Sequence, residues 1–502
     1  MRFPDDVWLD RSARRDDPAA WSARSADGMV ASAHYRATEA GAEILAAGGN
    51  AFDAAVATSL ALSVCEPAGS GLGGMAMVVL HDARTGRTVA LDGACPAPRR
   101  ATPEAVKASR RYRGYRAVAL PTHPATIGRL VERFATLPLA DLAAPAIRLA
   151  RSGVPTTALQ AALVERYRKA LLRESAGAEF LDPDGTPSPA GTVRPRPALA
   201  ETLERLARDG MEEFYRGETA DRIVADFEAN DGFLGRDDFR EIPWPREVAP
   251  VEGTFLGRAV RSLPPPGGGG TLLELLARIE ECPALLADPD GDAGVVELAE
   301  AIRRTREERR RAHRRPRGGG ETTHLSVMDR DGNAVAMTQS LERSFGAKVL
   351  TPSLGFLYNN YVKTFKVENR RHPHYLRPGA RARSNAAPTL LLEEGRPSVA
   401  IGSTGSERMI SGIAQVLLRL RRQAPYEAAA APRLHATPDG VVLIEADRFA
   451  PSAVAALERQ GFTSERLDAW SFHVGGLHLV VRRGAEFIGV AEPRRDGAAA
   501  GP

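Results

Sequence analysis

The chain has 502 residues, 43% hydrophobic and 26% charged, with a formal net charge of +4. That length holds one large or two ordinary domains, and the apolar content is that of a soluble globular protein rather than a disordered chain. Cys65, Cys95 and Cys282 are too few and too scattered for a disulfide framework or a zinc site, and no run of about 18 apolar residues is present to span a membrane. The first residues lack an apolar core, so no secretory signal and a cytoplasmic location are expected.

Residues 1–27 are polar and read as an irregular lead-in arm. Gly28-Met29-Val30-Ala31-Ser32 reads as a short strand. Residues 38–47 are alanine-rich and helical, stopped by Gly48-Gly49-Asn50. Residues 53–65 are almost wholly apolar, so this second helix should be buried on all sides. Gly69-Ser70-Gly71-Leu72-Gly73-Gly74 then leads into a strand over 75–80. A phosphate-cradling glycine loop wants a helix after it; a strand follows here, which argues against phosphate. The chain returns through Gly86 into Val89-Ala90-Leu91-Asp92. Helices are predicted at 140–151, 158–172, 198–208 and 219–228.

Between Arg303 and Arg317 stand nine arginines, with Glu307 and Glu308 among them. Such a run suggests an anionic partner. Aromatic residues are not interleaved and no nucleic-acid fold is evident. A solvated helix followed by an exposed linker is the expectation, with no nucleic-acid or membrane partner.

Glu321-Thr322-Thr323-His324-Leu325-Ser326 follows the linker. Residues 323–328 and 334–339 are strand-like, and Arg330-Asp331-Gly332 suits a three-residue hairpin loop with glycine left-handed. That loop sets Ser340 opposite Thr322. Thr322, His324, Ser326, Thr338 and Ser340 share one face; Leu325, Val327, Val335, Met337 and Leu341 share the other. A threonine hydroxyl needs an adjacent base to act as a nucleophile. A freed α-amine on the same residue, with a pKa near 8, can serve as that base. Ser340 could orient the threonine oxygen. An ordinary half-buried hairpin would carry the same pattern.

Residues 366–383 are basic and read as a loop over the site. Residues 389–392 and 398–401 form a predicted hairpin around Glu394-Gly395-Arg396. Gly402-Ser403-Thr404-Gly405-Ser406-Glu407-Arg408 then opens a helix to about 419. Glycines at a helix start present N–H groups toward an anion, such as a tetrahedral oxyanion, although a plain cap looks the same.

Thr322-Thr323-His324-Leu325-Ser326-Val327 followed by Asp331-Gly332-Asn333-Ala334-Val335 resembles the small-subunit start of the γ-glutamyltransferase family. The string from Ala37 to Ala57, the turn Leu263-Pro264-Pro265-Pro266-Gly267-Gly268-Gly269-Gly270, Leu354-Gly355-Phe356-Leu357-Tyr358-Asn359-Asn360 and Glu492-Pro493-Arg494 extend the likeness over nearly the whole chain. The resemblance implies the four-layer αββα sandwich of N-terminal-nucleophile hydrolases. It implies self-cleavage between Glu321 and Thr322, giving a large subunit 1–321 and a small subunit 322–502 that stay associated. A homodimer of that heterodimer is compatible with it. Thr322 would be the nucleophile, Ser340 its orienting partner, and Gly405 and Ser406 the oxyanion hole. No metal or organic cofactor is implied.

The substrate clamp departs from the family. Ala94 stands where an arginine would hold the glutamyl carboxylate. Glu342 replaces an asparagine, and Tyr361 and Thr364, with Lys363 between them, replace the groups that bind the α-amine. Ser384-Asn385 stands for a Ser-Ser pair and Gly405-Ser406 for Gly-Gly. An unmatched zwitterion costs several kcal/mol, so glutathione is not the expected substrate. Arg343, Lys363, Arg371 and Arg383 are cations available for a different small acidic molecule. Relatives with altered clamps include acylases, oxamate-type amidohydrolases and carbon–carbon hydrolases of alkylproline-type antibiotic biosynthesis. A true γ-glutamyl enzyme and a non-catalytic scaffold also stay open.

Overall fold

The computed structural model describes residues 3, 8–109, 112–312 and 321–502; the side chains of 310–312 and 321 fall outside that description. The end of the basic run, beyond Ala312, and the side chain of Glu321 at the expected cut therefore lie outside the described residues.

Two seven-stranded sheets form the centre of the molecule. The first runs Ala498–Ala500, Gly28–Ser32, Glu321–Asp329, Ala334–Glu342, Met75–Asp82, Arg87–Asp92, Arg246–Val248. The second runs Ser22–Ser25, Glu486–Val490, Leu477–Arg483, Arg396–Ser403, Thr389–Glu393, Arg258–Ser262, Val251–Phe255. Neighbours in both sheets are antiparallel.

Strand periodicity builds the layers, because alternate side chains leave opposite faces of a sheet. Leu325, Val327, Val335 and Met337 point one way, into a core shared with helices Tyr35–Ala46 and Ala51–Cys65. Met328, Ala334 and Ala336 point the other way, against Leu390, Ala400 and Val480 of the second sheet. That sheet's far face packs Val399 and Ile401 on helices Gly269–Glu280, Asp292–Ala312 and Arg408–Arg419. The layers are helix, sheet, sheet, helix, as expected.

Local signals hold where they are strong. Asn50 caps helix Ala51–Cys65 through the N–H groups of Phe52 and Asp53, while Asp53 answers the N–H of Asn50. All residues of this helix are buried. Differences appear where partners are distant. The arm is not wholly irregular: Ser22–Ser25 pairs as an edge strand with Glu486–Val490. The 389–401 hairpin turns on Glu394 and Gly395 alone, both at positive φ, and Arg396 already pairs with Glu393. Gly402 and Ser403 finish a strand, and the helix starts only at Arg408. Leu341 leaves the helical core for a smaller cluster with Phe345 and Leu357. Among the described residues no helix is long and apolar enough to cross a membrane.

Candidate active site

The hairpin forms in the expected register: Leu325 faces Met337, Val327 faces Val335, and Gly332 turns at φ 95. Pairing shifts between Glu321 and Thr323, so Thr322 faces two residues, Ser340 and Leu341, in a bulge of the partner strand. A bulge re-aims a side chain. Here it brings Thr322 Oγ1 to 3.1 Å from Ser340 Oγ, and both residues are buried. Ser340 Oγ also accepts the Glu342 N–H at 2.8 Å. The Tyr361 hydroxyl faces Ser340 and Ser384; burial raises its pKa well above the phenol range.

The hydroxyl-bearing face meets the second sheet, not water, and its polar groups satisfy one another. His324 Nδ1 lies 2.9 Å from Thr338 Oγ1 and Nε2 3.0 Å from Ser326 Oγ. Ser326 donates onward to the His478 carbonyl at 3.0 Å. One neutral tautomer, protonated on Nε2, fits all three bonds. Burial, then His478, hold the His324 pKa well below its usual value. The ring needs Gly402 opposite, where a Cβ would lie 2.2 Å from Cε1.

Behind the hairpin stands the glycine loop. Gly69 O accepts from Leu341 N at 3.1 Å, and Gly73 O accepts from Asn359 N at 3.0 Å. Gln339 donates to Ser70 Oγ at 3.0 Å and accepts from Ser59 Oγ at 2.6 Å. A Cβ at Gly74 would lie 2.5 Å from the Ser340 carbonyl oxygen, and one at Gly73 2.2 Å from that of Leu357. The glycines exist for this backbone approach. Gly74→Ala therefore forces the strand carrying Ser340 to move, with an expected loss of about 1–3 kcal/mol of stability. Gly270→Ala, where a Cβ meets nothing, is the control. Chemical denaturation of both variants checks this, and equal midpoints would refute it.

At the second sheet's end, Gly405 (φ 102) and Ser406 (φ 59) turn the chain into helix Arg408–Arg419. Thr404 fixes the turn: its N donates to Gly476 O at 2.8 Å, and its Oγ1 accepts from Gly476 N and Arg495 Nη2. Gly405 is buried, and among the described residues its N–H has no acceptor. Such an N–H suits a developing oxyanion.

The other expected site residues fall as follows. Lys363 forms an ion pair with Glu342, so these two charges answer each other. Burial, opposed by Glu342, lowers the Lys363 pKa. Ser384 N donates to Pro266 O at 3.1 Å, and Gly268 N to Ala386 O at 2.8 Å, so the proline–glycine turn braces Ser384-Asn385. Ala94 is wholly buried in the layer between the sheets. Arg343 stands over the Tyr112 ring at 5.2 Å, in an open cleft with Lys107 and Glu368. Arg371 is exposed.

Several residues here were not legible in the sequence. Arg381 reaches Asp92 at 2.8 Å, because Ala382 N and Ala97 N stitch the 366–383 loop to residues 95–97. A guanidinium thus approaches the Ala94 segment from a distant loop. Lys348 is buried, donates to the Ser344 and Gly346 carbonyls at 3.0 and 3.2 Å, and is driven down to about 8 by burial and then by Arg343. It ties a segment in which Glu342, Phe345 and Lys348 all have positive φ. Strained backbone of this kind gathers at functional sites. The basic helix is also not wholly solvated, since Arg306 forms an ion pair with Glu407, next to Ser406. The spacing of Arg306 and Arg309 on one helix face was the one available signal.

An αββα sandwich with a threonine-led strand inside one sheet is the architecture of the N-terminal-nucleophile hydrolases. The profile of the family described as Gamma-glutamyltranspeptidase matches residues 37–314 and 307–502, and the chain belongs to that family. A glutathione hydrolase proenzyme of Escherichia coli (strain K12) is 28% identical, over 94% of this chain and 91% of that protein. An acylase ACY 1 proenzyme of Pseudomonas sp. (strain V22) is 31% identical over 85% of each. The crystal structure of a cephalosporin acylase from Bacillus halodurans superposes with a TM-score of 0.85 at 28% identity, covering 96% of this chain and 97% of that one. The protein is an enzyme of this hydrolase and acylase family.

Proposed function

We propose that the chain cuts itself before Thr322 and then hydrolyses an acyl bond in a small acidic molecule other than a γ-glutamyl compound. The carrying observation is the Thr322–Ser340 hydroxyl pair in the bulge at the strand's start. In maturation, Thr322 Oγ attacks the Glu321 carbonyl, the acyl group moves from nitrogen to oxygen, and water hydrolyses the ester. This leaves a Glu321 carboxylate and a free Thr322 amine. That amine, with a pKa near 8, then takes the hydroxyl proton as Thr322 attacks substrate. Ser340 orients the oxygen, and the Gly405 and Ser406 N–H groups receive the oxyanion. Both sheets draw strands from either side of the cut, which supports segments 1–321 and 322–502 staying together.

The pocket favours the acylase reading over glutathione hydrolysis. A zwitterionic amino acid needs a free cation and a free anion side by side. Here Glu342 is already engaged by Lys363, and Ala94 offers no charge. Purified enzyme given γ-glutamyl-p-nitroanilide and glutaryl-p-nitroanilide, which differ only in the α-amine, is expected to prefer the glutaryl compound at least tenfold in kcat/KM. A preference for the γ-glutamyl compound would sink this substrate assignment.

A further inference from the structure

Arg383 immediately precedes Ser384, and the Tyr361 hydroxyl faces both Ser384 and Ser340. Ser340 in turn touches Thr322. Arg383 is therefore the chain neighbour of a serine that shares Tyr361 with Ser340, the partner of the candidate nucleophile. Its surroundings are unusual for a half-buried guanidinium. Nη1 is shielded from solvent and has no hydrogen-bond partner. Among the described residues no carboxylate stands within ion-pair distance of it. A buried cation needs an anion or a full set of acceptors.

The nearest charges explain why none of the protein's own carboxylates fills that role. Arg383 feels Glu407 and Glu342 at longer range. Glu342 is bound by Lys363, and Glu407 by Arg306. Arg309 adds a further guanidinium, facing Arg306, Arg383 and Glu407. Burial and then Arg383 bring its pKa down to about 10. Around Glu407 there are thus three guanidiniums, Arg306, Arg309 and Arg383, and Glu274 adds a second, weaker carboxylate influence on Arg309. The Glu342–Lys363 pair adds no net charge. The cations come from two parts of the chain, the helix ahead of the expected cut and the loop ahead of Ser384-Asn385.

We propose that Arg383, backed by Arg309, is an anion-accepting subsite that binds a terminal carboxylate on the acyl part of the substrate. The guanidinium fork meets a carboxylate edge-on, and the orphaned Nη1 gains its acceptor only when that group arrives. The subsite selects acyl groups with a distal acid and no α-amine, since Glu342 and Glu407, the carboxylates that could meet an amine, are engaged by Lys363 and Arg306. This rests on Thr322 being the nucleophile only for its place in the reaction; the binding itself does not.

The test is calorimetric titration of the purified full-length protein with succinate, glutarate and adipate. At least one is expected to bind saturably, and more weakly as salt is raised. Arg383→Gln should weaken that binding at least tenfold, Arg383→Lys should restore part of it, and Arg309→Gln should weaken it severalfold. Arg396→Gln, on the exposed 389–401 turn, should bind as wild type. No binding by any of the three diacids, or equal binding by a folded Arg383→Gln, overturns the subsite. Circular dichroism confirms folding, and Arg309→Gln decides the matter if Arg383→Gln is not folded. Binding is read without turnover. An inactive, uncut protein that binds diacid through Arg383 defeats the hydrolase reading and leaves the subsite. An active enzyme whose diacid binding ignores Arg383 does the reverse.

Discussion

Thr322→Ala is expected to leave one uncut chain and no measurable turnover, whereas the wild type yields two chains, the second beginning at Thr322. The bulge opposite Thr322 puts its hydroxyl against Ser340, beside the Glu321–Thr322 bond where the cut is expected. No other described hydroxyl holds that position. Alanine removes the attacking oxygen in maturation and again in turnover, so both fall together, by a factor on the order of 10⁴ or more. Thr322→Ser keeps an oxygen and should cut, more slowly. Intact mass and N-terminal sequencing check this. A wild type that stays whole over days, or an alanine variant that cuts, would remove Thr322 from the mechanism.

The second large effect lies away from the chemistry. Glu492 is fully buried between Arg433 and Arg494, at 2.6 and 2.8 Å, and also accepts the Leu477 N–H at 2.9 Å. Arg494 bonds onward to Glu445, which is also buried. Arg433 donates to the Gly475 carbonyl at 3.0 Å, and Gly475 backs Gly405. Deleting one partner of such a network strands buried charge, so Glu492→Ala should cost about 3–5 kcal/mol. It should also slow self-cleavage by loosening the Gly405 turn. Urea denaturation in the uncut Thr322→Ala background measures the loss, and a change below about 1 kcal/mol would refute the assignment.

The same carboxylate sets an acid limit. Burial alone would push Glu492 up, but Arg433 and Arg494 overcome burial and hold it down to about 2. A depressed carboxylate contributes stability that is present above its unfolded value and is lost as pH falls through the folded one. The contribution, about 3 kcal/mol, is therefore complete above roughly pH 4.5 and gone near pH 2. Comparing wild type with Glu492→Gln across that window isolates it: the difference between the two should shrink as pH falls.

The hairpin that carries Thr322 and Ser340 was legible because strand side chains alternate with a period of two and the Arg330-Asp331-Gly332 loop pins the register. Those rules alone set Ser340 opposite Thr322 and Met337 opposite Leu325. The helix expected over 53–65 was legible because its residues are nearly all apolar, and it begins two residues earlier, at Ala51, behind the Asn50 cap. The bulge opposite Thr322 was not legible. It depends on how strand Ala334–Glu342 ends against the glycine loop, and that loop belongs to a segment some 270 residues earlier. Ser22–Ser25 escaped for a related reason, since a polar edge strand shows no apolar alternation and is made only by its partner Glu486–Val490.

The charges of the pocket divide in the same way. By itself, the sequence pointed to Thr322, Ser340, Gly405 and Ser406 as candidates for the chemistry and to the arginine absent at Ala94. Its resemblance to a known family implied the αββα layering, and its alternation of apolar and polar positions gave the two faces of the hairpin. Only the tertiary structure decided which cations meet which anions. Arg381 joins Asp92, Lys363 joins Glu342, Arg306 joins Glu407, and the Arg383 Nη1 is left without a partner. Local conformation is set by neighbours within a few residues, whereas ion pairing depends on distances that exist only after remote segments have packed.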